Sequence, residues 1–203
     1  VSPEVKQAFM TEAEERLLAL AESKPGDARI HVFIASFYRS SGQLEKAAEQ
    51  MAIARDLSPD KQSIITQQGF IALSQEQPQV ASDFLKTAFE LDERNLEARE
   101  YYAASLFYLD RGDEAMALMN SEAAEKAFAA SDFLLNAANQ ADRTDVVAQL
   151  YQVRVDSEPD RTQSWRTDAQ NWSSLAFLYY ELDQREKAVE TLNEAQAVIP
   201  SFA

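Results

Sequence analysis

The chain has 203 residues, 34 acidic against 19 basic, a formal net charge of −15 and 46% hydrophobic residues, the balance of a folded chain long enough for a continuous core. The absence of cysteine and the single histidine exclude a disulfide framework, thiolate metal sites and multi-histidine zinc sites, and leave most histidine-dependent catalysis without its raw material. The negative charge argues against nucleic acid and anionic membrane surfaces as partners, and no run of about 18 apolar residues is present to span a bilayer.

Four glycines and six prolines are too few for the turns of a hairpin architecture, and the elements read as helices throughout. The chain opens at Val1 rather than Met, so a processed product or an excised domain is expected. Residues 1–26 are expected to form an N-terminal capping helix pair. Ala13, Leu17, Leu20 and Pro25 carry the spacing of a second helix, and a shorter helix from about Pro3 precedes it. Ile30, Phe33, Ile34, Phe37 and Tyr38 then recur at three- and four-residue spacings, one face of a helix that Gly42 breaks. A second helix runs from about Leu44 to Leu57, with Ala47, Met51 and Ala54 on one face, and Ser58-Pro59 ends it.

This grammar repeats. Adding 34 to the residue number carries Ala35 to Gly69 and then Ala103, Ala47 to Ala81 and then Ala115, Ala54 to Ala88, and Leu57 to Leu91. The physical content of the period is two antiparallel helices per unit. Small residues are needed where a pair crosses, because a large side chain would push the axes beyond the roughly 8–10 Å of packed helices. Units are assigned to 28–61, 62–95, 96–127, 128–160 and 168–203. Near 120–128 the register slips, and irregular helix ends are expected there. Residues 161–171 form an insert, either a longer loop or an extended first helix, with Trp165 able to pack back. The expected fold is all-α, about 10–12 helices in stacked antiparallel pairs, within a single domain spanning 1–203.

The last segment, NWSSLAFLYYELDQREKAVETLNEAQAVIPSFA, carries Trp172, Leu175, Ala176 and Tyr179, then Ala188, Leu192, Ala195 and Pro200. In these residues the chain resembles the tetratricopeptide repeat (TPR) family. The resemblance implies a right-handed α-solenoid whose first helices line a concave groove that holds an extended peptide or a partner helix. Groove positions then fall at Arg29, Val32, Ser36 and Arg39 in the first unit, and at Thr66, Phe70 and Leu73 in the second. The third contributes Glu97, Glu100, Ala104 and Phe107, the fourth Asp132, Asn136 and Asn139, and the last Ser173, Phe177 and Tyr180. Each of Phe70, Leu73, Phe107, Phe177 and Tyr180 either lines that wall or packs between adjacent repeats. Co-chaperone arrays of the family grip a C-terminal carboxylate with Lys and Asn. Here Val32, Ser36, Thr66, Phe70, Glu100 and Ala104 stand in the corresponding places, so that clamp is absent. The acidic middle suggests a protein or peptide partner of basic character.

No constellation for chemistry stands out. His31 reads as a partly buried packing residue. Glu14/Glu15 and Glu97/Glu100 read as solvated helix faces. The spacing of Asp110, Asp113 and Glu114 does not match a calcium loop. Asn171-Trp172-Ser173 reads as a chance sequon within a helix. Neither a glycine-rich phosphate loop nor a nucleophile elbow is present, so no catalytic residue, metal or cofactor is assigned. The leading expectation is a non-enzymatic interaction scaffold. The order of NLEAREYYAASLFYLDRGDEA, SDFLLNAANQADRTDVVAQLY and the closing segment also resembles the repeat tails of O-antigen ligase-type membrane proteins. That resemblance implies a soluble arm whose catalytic part lies outside this chain. The compartment stays open between cytoplasm and periplasm.

Overall fold

In the computed structural model, residues 2–157 and 165–199 are described, with the side chains of 165–168 left aside. Twelve helices occupy the described residues: α1 Pro3–Ser23, α2 Ala28–Ser40, α3 Leu44–Leu57, α4 Gln62–Ser74, α5 Pro78–Leu91, α6 Leu96–Phe107, α7 Gly112–Ala117, α8 Glu122–Ala130, α9 Asp132–Gln140, α10 Thr144–Asp156, α11 Trp165–Glu181 and α12 Arg185–Val198. No strand occurs among the described residues. The chain divides into two compact units, Val1–Tyr101 and Tyr102–Ala203, where one domain was expected.

In the first unit the expected capping pair is a single 21-residue helix. Ser2 caps it, its hydroxyl accepting the Val5 N–H, and Pro3 occupies the first turn. Nothing between Pro3 and Ser23 can break it, since the stretch holds no glycine and no further proline. The Thr11 hydroxyl donates back to the Gln7 carbonyl within the helix. Leu17 packs against the core, while Leu20 remains 40% exposed.

Two helix pairs follow. Asp27 caps α2, accepting the Arg29 N–H, and the Arg29 guanidinium holds its carboxyl down at about 2. Ile34, Ala35 and Tyr38 of α2 are buried with Ala47, Met51 and Ala54 of α3. In the next pair Gly69 of α4 faces Leu85 of α5, so closely that a β-carbon at 69 would lie 2.4 Å from Leu85 Cγ. The small residues of the 34-residue period thus sit where paired helices meet.

The turn between paired helices is the same each time. Gly42 has φ +76°, and Glu76, Asp110, Asp142 and Asp183 have φ between 53° and 58°. The N–H of the following residue reaches back to the last turn of the first helix. Gln43 donates to the Tyr38 carbonyl, Gln77 to Ala72, Arg111 to Leu106, Arg143 to Ala138 and Gln184 to Tyr179, at 2.8–3.0 Å. That is the Schellman ending of a helix, with its left-handed residue, satisfying carbonyls that would otherwise be orphaned.

In the second unit the register slip near 120–128 is a break. The second helix of the third repeat stops at Ala117, and a new helix, α8, starts at Glu122. Ser121 caps α8, its hydroxyl accepting the Ala124 N–H. Arg143 holds the following turn with ion pairs to Asp145 at 2.8 Å and Asp113 at 3.1 Å. Of the two readings of the 161–171 insert, an extended first helix describes residues 165–171, which belong to α11. Residues 161–164 and the side chain of Trp165 lie outside the described residues. Trp172, Ala195 and Ile199 form a buried cluster closing the last pair.

Candidate functional site

The expected wall is built from the first helices of the repeats, whose inward faces are spent on packing and whose other faces are left available. In the first unit, Arg29, Ser36 and Glu97 are exposed, and Val32, Arg39, Phe70, Leu73 and Glu100 are half-buried. Thr66 is a correction: it is 4% exposed and its hydroxyl donates to the Gln62 carbonyl. A β-branched residue on the packed side of α4 bonds its own helix and offers nothing to a ligand.

Side chains from α2, α4 and the first half of α6 meet on this wall. The Arg39 guanidinium carbon lies 5.1 Å from the centroid of the Phe70 ring. That ring in turn lies 5.4 Å from Tyr101, tilted by 55°. Both distances are within the range of attractive cation–π and aromatic contacts. Burial pushes the Tyr101 hydroxyl above its ordinary value, Glu97 and Glu100 push it the same way, and Arg39 opposes them. Tyr101 was not among the expected wall residues, although it lies one helical turn from Glu97 on the same face.

In the second unit Phe107 is the larger correction. It is 1% exposed, and its ring lies 3.3 Å from where Gly112 would carry a β-carbon. The ring fills space against Gly112, which opens α7, so it is core. Asp132 is exposed, and its carboxylate accepts from Arg154 at 2.8 Å. Asn136, Asn139 and Ser173 are exposed, and the Ser173 hydroxyl donates to the Ala169 carbonyl. Phe177 and Tyr180 of α11 are 59% and 60% exposed, with Arg185 over the Tyr180 ring at 6.0 Å.

His31 and Glu14 have structural partners. His31 is buried, its Nδ1 2.8 Å from the Gln50 side-chain oxygen. Glu14 accepts from both the Lys46 ammonium at 2.8 Å and the Tyr38 hydroxyl at 2.9 Å. Lys46 and then Tyr38 hold its carboxyl low, while burial and then Glu14 push the Tyr38 hydroxyl up to about 12. Among the described residues no group of three or more His, Asp and Glu could hold a metal ion, and no helix is long and apolar enough to cross a membrane. A cleft of about 740 Å³ between α1 and the α2–α3 turn is lined by Lys6, Met10, Glu14 and Lys46, and brings no catalytic constellation together.

Comparison with known proteins agrees with this architecture. Residues 169–202 match the family model of the tetratricopeptide repeat. YrrB, described as a TPR protein with an unusual peptide-binding site, superposes with a TM-score of 0.61 at 18% identity, over 93% of this chain and 94% of its own. MamA from Desulfovibrio magneticus RS-1 superposes with a TM-score of 0.60 at 16% identity, over 86% of this chain and 96% of its own. PilF of Pseudomonas aeruginosa gives 0.56 at 13% identity, over 97% and 87%. No curated protein matches the chain by sequence. The chain is therefore an all-helical protein with the fold of TPR helical solenoids, and its last repeat carries the family's sequence pattern. The likeness to O-antigen ligase-type tails receives no support from these relatives.

Proposed function

We propose that this protein is a non-enzymatic scaffold that binds a peptide or helix of a partner protein on the first-helix faces of its repeats. The observation that carries the reading is the platform of Arg39, Phe70 and Tyr101. Three successive first helices supply one half-exposed, mixed cationic and aromatic surface where packing alone would favour complete burial. A fold shared with YrrB, described as having a peptide-binding site, supports the same reading. The net charge of −15, with Glu97 and Glu100 beside the platform, favours a partner of overall basic character, steered in by long-range attraction.

The test is selection of a displayed library of random 12-residue peptides on the immobilised chain, followed by binding of the selected peptides to Phe70→Ser. Enriched peptides that lose roughly tenfold or more in affinity for Phe70→Ser, with its helical circular dichroism unchanged, support the platform. No enrichment over an unrelated acidic protein, or undiminished binding to Phe70→Ser, refutes it.

A further inference from the structure

Arg39 stands apart from the other arginines of the first unit. Arg16 donates to Glu12, Arg29 to Asp27, Arg55 to the Gln68 side chain, Arg94 to Asp92 and Arg99 to the Glu93 carbonyl. Among the described residues the Arg39 guanidinium donates to no oxygen and pairs with no carboxylate, in a protein with 34 acids to choose from. It is also half-buried, with the Phe70 ring as its neighbour. A guanidinium carries five N–H donors in a planar fork that fits a carboxylate at two points, and lining it with a ring leaves donors open to an incoming group.

We infer that Arg39 anchors an acidic side chain of the bound peptide, and that an apolar or aromatic residue next to it in the peptide lies against Phe70 and Tyr101. The inference rests on the peptide-binding reading above and names the chemistry of its central contact. A side-chain carboxylate is favoured over a free C-terminus because Arg39 is the single cation among the three platform residues and supplies one two-point contact. Glu97, which pairs with no cation among the described residues, lies on the Tyr101 side. The recognised segment therefore carries its acid toward α2 and its basic residues toward α6. A peptide of overall basic character and a single anchored acid are compatible on this surface.

The selection described above discriminates. Its peptides are displayed without free C-termini, so acids can be enriched only as side chains. The expected result is enrichment of Asp or Glu within two or so residues of a large apolar or aromatic residue. The binding of one enriched, C-terminally amidated peptide is then measured by fluorescence anisotropy against the native chain, Arg39→Gln and Phe70→Ser. Replacing the peptide's acid by its amide should weaken binding to the native chain by roughly tenfold or more, and should have little effect on binding to Arg39→Gln. An acid-to-amide loss equal on both proteins, or enriched peptides carrying no acid, overturns the assignment to Arg39. If Phe70→Ser still abolishes binding in that case, the platform stands and only its anion partner was wrong. If Phe70→Ser leaves binding intact, the platform itself falls.

Discussion

Gly69→Leu tests the repeat register directly. A β-carbon on residue 69 would lie 2.4 Å from Leu85 Cγ, 2.6 Å from Cδ2 and 3.1 Å from Cδ1. Carbon atoms in contact prefer roughly 3.5–4.0 Å, so the two helices must separate by roughly 1 Å, or Leu85 must leave its rotamer. Leu85 is fully buried and has no solvent to move into. Gly69→Ala would gain about 1 kcal/mol of helix propensity and lose about 1–3 kcal/mol to overpacking, leaving a small net loss. Leucine adds three more carbons to the same clash, and a loss of about 3 kcal/mol or more is expected. In a chain of this length that lowers the melting temperature by roughly 6–12 °C. Thermal and urea unfolding followed by circular dichroism read both variants. A Gly69→Leu protein melting within about 2 °C of the native one would show that α4 and α5 do not cross at this residue. The cause can also be isolated: Gly69→Ala combined with Leu85→Ala should be less destabilised than the sum of the single changes, because each relieves the other's defect.

Three further expectations follow from the same geometry. Phe107→Ala should cost about 3–5 kcal/mol, whereas Phe177→Ala should change stability by less than about 1 kcal/mol; equal losses in urea unfolding would contradict the division between core and exposed wall. Tyr38 has a folded value of about 12, above the ordinary 10, so its contribution to stability is complete below pH 10 and disappears as pH rises toward 12. Tyr38→Phe should therefore flatten the alkaline decline over that interval, and parallel stability–pH curves for the two proteins would reject the role of its ionisation. At the turns, Gly42→Ala should destabilise by about 1 kcal/mol while Glu76→Gly should not destabilise, because both positions hold left-handed backbone; the opposite order in urea midpoints would argue against a shared turn.

The helix-pair plan was legible because it is written in residue size. Ala47, Ala54, Ala81 and Ala88 are small for a local reason, the close approach of a partner helix, and they recur with the unit. What the sequence concealed depends on neighbours distant along the chain. Nothing in 1–26 says whether a spacing pattern belongs to one helix or two, and a stretch without glycine or internal proline continues unbroken. The break between α7 and α8 is marked only by Asn120-Ser121, a weak signal beside the proline that ends other units. The left-handed residues at Glu76, Asp110, Asp142 and Asp183 were hidden because only Gly42 announces such a backbone by its identity. Tyr101 was missed for a related reason: whether a ring faces its own pair or the preceding first helix is settled by Phe70, more than thirty residues away.

Packing and recognition compete for the same repeat positions, and the third repeat shows where packing wins. One position is occupied by Arg39, then Leu73, then Phe107. The first two are half-buried and the third is fully buried. The second helix of that repeat, α7, has six residues and opens with buried Gly112, and the Phe107 ring lies against it. From Tyr102 to Phe107 every residue of α6 is buried, so what this helix leaves accessible lies in its first half, at Leu96, Glu97, Glu100 and Tyr101. Arg39, Phe70 and Tyr101 are left as a run of half-buried side chains, each in contact with the next. An arginine with no oxygen partner among the described residues can persist there because its neighbour on the next first helix is a ring that lines it without neutralising it.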